Sequence, residues 1–171
     1  MNFREAQAQD AAQIVEIVNG AYRGETGKQG WTTEAHLLGG ARTDVARVNA
    51  LMIPGQSVVL VAETLGQVIG CVHLEKKNSD TAYLGMLTVD VQRQTGGLGS
   101  KLLAAGEAFS RDTWKMKIVE MTVITVREEL IAWYERRGYK KTGERRPFPQ
   151  DPRFGIPLSG PLEFDVLVKN I

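Results

Sequence analysis

The sequence predicts a mixed α/β fold in which an antiparallel meander of strands leads into a strand, helix, strand, helix, strand succession. Three observations carry this. Runs rich in β-branched residues at 57–63, 67–75 and 81–89 are separated by Thr64-Leu65-Gly66 and Asn78-Ser79-Asp80, both turn-forming by composition. A glycine-rich turn at 94–99 then passes directly into a segment with apolar residues at helical spacing. Beyond it, 117–126 reads as a strand, 128–137 as a helix closed by Gly138, and 139–144 as a strand.

Taken in order, residues 3–8 read as a short first strand. Asp10, with Gln13 three residues later, makes a capping-box pattern for a helix through Tyr22, and Ile14, Ile17, Val18 and Ala21 mark its buried face. The stretch 24–30 is glycine-rich, and Thr32 or Thr33 can cap a second helical region that runs in pieces toward Ile53, broken at Gly39-Gly40. The helix at 100–115 carries an apolar stripe of Leu102, Leu103, Ala105, Gly106 and Phe109. Residues 117–126 are long and apolar enough for a central strand. In 128–137 two glutamates open the first turn and two arginines close the last, matching the helix macrodipole. The segment 146–162 holds every proline except Pro54, so it forms an ordered loop ahead of a last strand at 162–168. There are no internal repeats, and a chain of 171 residues is expected to form a single domain, residues 1–171, with a core that needs neither disulfide nor metal.

Composition narrows the function. Twenty-one Lys and Arg against 20 Asp and Glu leave no field that would steer the protein to nucleic acid or to a membrane surface. The basic cluster from Arg136-Arg137 through Lys140-Lys141 to Arg145-Arg146 is either a solvated rim around a helix end or an anion site. Cys71 is the only cysteine and lies in an apolar run, which points to a reducing compartment. With no apolar leader and no long apolar run, a cytoplasmic location is expected. His36 and His73 are the only histidines, so a histidine-built metal site is not expected.

The most informative stretch runs from Thr81 through Gln94-Thr95-Gly96-Gly97-Leu98-Gly99 into the helix that begins at Ser100. A helix start offers unpaired backbone N–H groups and about half a positive charge, and glycines let a bulky phosphate reach them. Two nucleotide motifs fail on spacing. A P-loop needs Gly-Lys-Ser/Thr where this chain has Gly99-Ser100-Lys101, and the dinucleotide fingerprint needs a third glycine where Leu102 stands.

The pattern that fits is Gln/Arg-x-x-Gly-x-Gly/Ala, satisfied by Gln94, Gly97 and Gly99 after the strand end at Val89. Here the chain resembles the GNAT N-acetyltransferase family. The resemblance implies the GNAT fold, a central mixed sheet of about seven strands flanked by about four helices. It also implies acetyl-CoA as co-substrate, its pyrophosphate held by Gln94, Thr95, Gly96, Gly97, Leu98, Gly99 and Ser100, with the backbone of Leu87, Thr88 and Val89 pairing the pantetheine arm. The chain departs from the common pattern at Val91, where proline is frequent, and at Thr95, where glycine is frequent.

A second signature of that family is an aromatic residue a few positions before Gly-Phe/Tyr, and Tyr134 before Gly138-Tyr139 matches it. The resemblance assigns Tyr134 to protonate the departing CoA thiolate, a step open to a phenol because it still carries its proton at neutral pH. Arg127 stands where many relatives have asparagine, and that contact is not carried over. The attacking amine must first lose a proton. Glu75 and His73 share one strand face and Glu120 begins the central strand, so each is either a base at the acceptor end or a structural group; a water chain is the other route.

In this family the acceptor pocket is walled by the first two helices and the loop before the last strand, here 21–50 and 146–161, where Tyr22, Trp31, Phe148 and Phe154 either line it or pin loops. The implied activity is transfer of an acetyl group from acetyl-CoA to a primary amine, by direct attack through a tetrahedral intermediate. Its oxyanion could be held by a backbone N–H near Val89. Cys71 is a poor covalent nucleophile because no cationic group adjoins it in sequence. The alternative is a binding module of the same fold that holds acyl-CoA without catalysis. Either form could be a homodimer.

Overall fold

The computed structural model describes residues 1–23, 33–93 and 96–171. The predicted sites Gln94 and Thr95, together with Trp31 and Thr32, lie outside these residues. Seven strands form the main sheet in the order β1-β3-β4-β5-β6-β9-β7: β1 (Asn2–Glu5), β3 (Ser57–Thr64), β4 (Gln67–Lys76), β5 (Thr81–Val89), β6 (Ile118–Ile124), β7 (Lys140–Pro147) and β9 (Glu163–Asn170). β1 and β3 to β5 pair antiparallel as the expected meander. The last strand does not add at the edge: β9 inserts between β6 and β7 and pairs antiparallel with both.

Among the described residues four α-helices pack on this sheet, α1 (Ala11–Arg23), α2 (Val45–Ala50), α3 (Leu98–Asp112) and α4 (Glu128–Glu135). The sheet divides them between two apolar layers. Ile14, Val18 and Ala21 of α1 and Val48 of α2 pack with Val59, Val61, Cys71 and Met86. Leu102 and Leu103 of α3, with Ile131 and Tyr134 of α4, pack with Leu60, Val72, Leu74 and Leu84. Alternate residues of β3 and β4 thus serve opposite layers, which is why both strands read as nearly continuous apolar runs.

Two local expectations are corrected. Asp10 and Gln13 do not form a capping box. The Asp10 carboxylate instead accepts from the Gln7 N–H at 2.7 Å and from Arg4, while the Gln13 side chain accepts from the Val68 N–H at 3.0 Å and ties α1 to β4. The proline-rich segment is not wholly loop: β8 (Ile156–Pro157) pairs antiparallel with β2 (Leu38–Gly39) in a second, two-stranded sheet.

The feature that makes room for a site is the parting of β5 from β6. They pair in parallel only over Thr81–Tyr83 and Ile118–Glu120, although both strands continue. Opposite the point of divergence, the β4–β5 register shifts between Cys71 and His73, and Met86 adopts φ 51°. A bulge of this kind bends its strand, and β5 leaves β6 to open a cleft in the middle of the sheet.

Candidate active site

The first half of the site is a groove of about 300 Å³ lined by Leu87, Val89, Gly97, Gly99, Ser100, Trp133, Tyr134 and Arg137, among others. Gly97 caps α3 with φ 72°, in the left-handed region that favours glycine, and Gly96 before it has φ 82°. A Cβ at either position would meet nothing within 4 Å, so the space before the helix start is open to a ligand. Backbone N–H groups and the positive end of a 15-residue helix therefore face the groove where an anion can reach them.

A cation lies beside this helix start. Arg137 donates to Ser100 Oγ at 3.1 and 2.7 Å and to the Trp133 carbonyl at 2.8 Å, and its guanidinium lies 3.6 Å from the Trp133 ring centroid. Of the basic cluster seen in sequence, this member lines the groove. Nothing in its spacing distinguishes it from its neighbours; only the turn after α4 aims it at α3. Of the remaining predicted cradle residues, Leu98 turns into the core, and Thr88 is fully buried with its hydroxyl donating to the Met86 carbonyl at 3.1 Å.

Tyr134 is positioned by the end of its helix. Gly138, at φ 93°, lets the chain reverse so that the Tyr139 N–H donates back to the Tyr134 carbonyl at 3.2 Å. The buried Tyr139 ring then meets the Tyr134 ring edge-on at 5.7 Å, and the Trp133 ring also meets it edge-on, at 5.0 Å. The Tyr134 hydroxyl has no hydrogen-bond partner among the described residues. Burial, the largest effect, pushes its pKa well above the usual tyrosine value, with Arg127 and Arg137 offsetting only part of this, so the phenol stays protonated at neutral pH.

The second half is a larger cavity, about 660 Å³, in the cleft between β5 and β6. It meets the groove at Tyr22, Leu87, Leu130 and Tyr134, which line both. At this junction the Tyr22 hydroxyl donates to the Leu87 carbonyl at 3.1 Å, which fixes α1 against the bent strand. Tyr22, Phe148 and Phe154 all line the larger cavity.

Neither predicted carboxylate lines this cavity. Glu75 is exposed on β4 beside Tyr83. Glu120 is buried and shares a row of the sheet with Glu75, but Lys77 donates to its two oxygens at 2.5 and 2.7 Å and Arg146 adds a bond at 2.8 Å. Burial would raise the Glu120 pKa; the bonds from Lys77 and Arg146 outweigh it and hold the group below the usual carboxylate range. His73 does line the cavity, 6% exposed, with Nε2 lacking a hydrogen-bond partner. Burial, aided by the charge of Arg42, lowers its pKa to about 4, so the ring is neutral at pH 7. Burial pushes the Cys71 thiol up to about 12, which keeps it protonated and unreactive.

Among the described residues the cavity's charged lining is Arg23, Arg42, Arg47, Arg127, Arg146 and Glu34, of which only Arg146 belongs to the basic cluster that the sequence offered as a possible anion site. Glu34 is buried between two of these, 3.1 Å from Arg127 and 3.4 Å from Arg23. Arg127 thus braces the cavity wall. Among the described residues no cluster of three His, Cys, Asp or Glu could hold a metal, and no helix is long and apolar enough to cross a membrane.

Residues 55–141 match the family model described as the acetyltransferase (GNAT) domain. That span is just over half the chain and contains the glycine turn, the cleft and Tyr134: the chain belongs to the GNAT acetyltransferase family. No curated protein matches it in sequence. Solved structures share the fold at low identity. The smu.2055 protein from Streptococcus mutans is 12% identical, with TM-score 0.73 and 99% of each chain covered. A ribosomal-protein-alanine N-acetyltransferase from Brucella melitensis is 19% identical, with TM-score 0.72 and both chains covered completely. The acetyltransferase yncA from Salmonella typhimurium, solved with its cofactor acetyl-CoA, is 22% identical, with TM-score 0.70 and 99% of this chain and 93% of that one covered.

Proposed function

We propose that residues 1–171 act as one acetyl-CoA-dependent N-acetyltransferase domain that acetylates a primary amine by direct attack. The observation that carries this is the junction: an anion-binding groove and a separate larger cavity meet at Tyr22, Leu87, Leu130 and Tyr134. A module that only held acyl-CoA would need the groove but no second cavity opening on the same tyrosine.

In this reading the pyrophosphate lies on the α3 amides at Gly97, Gly99 and Ser100 beside Arg137, and the pantetheine follows β5 along Leu87 and Val89 toward the cleft. The acetyl-CoA bound to yncA, which shares the fold, supports this choice of ligand. The amine enters through the larger cavity, and its nitrogen bonds to the thioester carbonyl carbon. The resulting tetrahedral intermediate collapses with cleavage of the C–S bond, the thiolate takes the Tyr134 proton, and the phenol is restored by the proton that the amine releases into the cavity water.

The proton lost by the amine passes to water in the cavity. His73 is the unpartnered acceptor lining it, although its lowered basicity suits a relay better than a resting base. Glu120 would require release from Lys77 or Arg146 to serve, and Glu75 would act only through water.

The test is thermal stabilisation by acetyl-CoA compared with NADH and ATP, followed by release of free CoA thiol in the presence of amines. Binding the native state alone adds RT ln(1 + [L]/Kd), about 2.7 kcal/mol at 100 Kd. Equal shifts from all three ligands, or none from acetyl-CoA, would refute the assignment.

A further inference from the structure

We propose that the acceptor is a small amine carrying an oxyanion, such as an amino acid with a free carboxylate, and that Arg42 seats this anion. The inference rests on the acetyltransferase reading above and concerns the larger cavity of the same site.

The argument is one of charge accounting. The chain as a whole is nearly neutral, at formal net charge +1, yet among the described residues this one cavity is lined by five arginines and one carboxylate. Arg23 and Arg127 share Glu34. Arg146 is paired with Glu120 and Glu144. Two arginines remain without a carboxylate partner among the described residues, Arg42 and Arg47.

They differ in what holds them. Arg47 donates to the backbone carbonyls of Arg42 and Arg153 and lies over the Phe154 ring, so its guanidinium is partly committed to bracing the loop. The Arg42 guanidinium makes no hydrogen bond among the described residues and lies 5.5 Å from the centroid of the Tyr22 ring. A half-buried guanidinium with five unused donors, stacked on an aromatic face, is suited to bidentate binding of a planar oxyanion.

The backbone fixes Arg42 in this place. Asn19 of α1 accepts from the N–H groups of Arg42 and Thr43 at 2.8 and 3.0 Å and donates to the Thr43 carbonyl at 2.9 Å. This pins the segment before α2 against the helix that carries Tyr22. A second feature points to a ligand in the same space: the buried His73 lines the cavity with Nε2 unpartnered, within the electrostatic reach of Arg42.

Distance decides the size class. Tyr22 spans the gap between Arg42 and the junction, with its ring under the guanidinium and its hydroxyl on the Leu87 carbonyl. An anion on Arg42 therefore sits beside the ring of the same tyrosine whose hydroxyl marks the junction. An amine and an oxyanion on the same small molecule can span that gap; the amino terminus of a longer chain, whose carboxylate is remote, would leave Arg42 unanswered. The cofactor's own phosphates have Arg137 and the α3 amides in the other cavity.

The experiment compares free amino acids, the corresponding amides and decarboxylated amines, and aminophosphonates as acceptors, read by CoA thiol release. A free amino acid is expected to exceed its own amide by about 10- to 100-fold in kcat/KM, the range for a charge-assisted hydrogen-bond pair. Arg42→Gln should erase that gap, while its thermal shift with acetyl-CoA stays at the parent value and shows it folded. Preference for carboxylates over phosphonates, or the reverse, identifies the oxyanion. Amides or uncharged amines turned over as well as the acids, or a gap that survives Arg42→Gln, would overturn the proposal. So would a CoA-saturated protein that neither acetylates nor is thermally stabilised by any acid in the panel. Because acetyl-CoA stabilisation is measured in parallel, failure here is separable from failure of the acetyltransferase reading.

Discussion

Replacing His73 by Gln should flatten the acid limb of the protein's stability curve. The ring sits in the middle of β4, paired across to Val59 and Gly85, and is 6% exposed. Its pKa falls from 6.5 to about 4 on folding, first through burial and then through the charge of Arg42. The folded state therefore resists a proton that the unfolded chain accepts freely. Stability is fully present above the unfolded value of 6.5 and is lost as pH falls through the interval down to about 4. Near pH 5 the unfolded state gains about 2 kcal/mol by protonation while the folded state gains almost nothing. Urea denaturation of the parent and His73→Gln at about pH 7.5 and about pH 5 measures this directly. The parent should lose about 2 kcal/mol more than the variant over that interval, whatever the two differ by at neutral pH. Carboxylates such as Asp10 and Glu120 titrate in both proteins and cancel. Parallel losses would mean that the cavity admits enough water to solvate the imidazolium, and the description of His73 as a neutral buried ring would be wrong.

Tyr134→Phe keeps the ring and its edge-on contacts with Trp133 and Tyr139 but removes the hydroxyl at the junction. We expect kcat to fall by about 10²-fold with KM for acetyl-CoA little changed; an unchanged kcat where chemistry limits the rate would reduce Tyr134 to packing. Gly97→Val places a β-branched residue at φ 72° and a side chain in the open cradle, with a backbone cost of about 1–2 kcal/mol. The melting temperature should drop and the acetyl-CoA shift should disappear, and a variant that binds acetyl-CoA like the parent would place the cradle elsewhere.

Local pattern proved a good guide where the physics is local. β5 runs over Thr81–Val89 as the residue run and its flanking turns predict, and β3 and β4 agree within a residue, whereas β1 ends at Glu5, short of the expected residue 8. The glycine turn leads into a helix whose first cap has positive φ, as a residue without a Cβ permits. Gly138 closes α4 for the same reason. Tyr134 was found through its spacing from Gly138-Tyr139, because one helical turn and its cap suffice to set where that ring lies.

The capping reading failed at Asp10 because its competitor, Arg4, comes from a strand and not from the helix being capped. Glu120 read as either a base or a structural group at the start of a strand, and pairing brought Lys77 and Arg146 to it from two other segments. The sequence by itself determined the order of most elements, the glycine turn ahead of α3 and the family, since these rest on turn chemistry, periodicity and short-range spacing. Tertiary structure alone decided that β9 lies between β6 and β7, that β5 bends away from β6, and that Arg42, Glu34, His73 and Arg127 face one cavity. These residues are separated by up to 93 positions, from Glu34 to Arg127. Their convergence depends on register and on helix packing against the sheet, and neither leaves a periodic trace in any one stretch of chain.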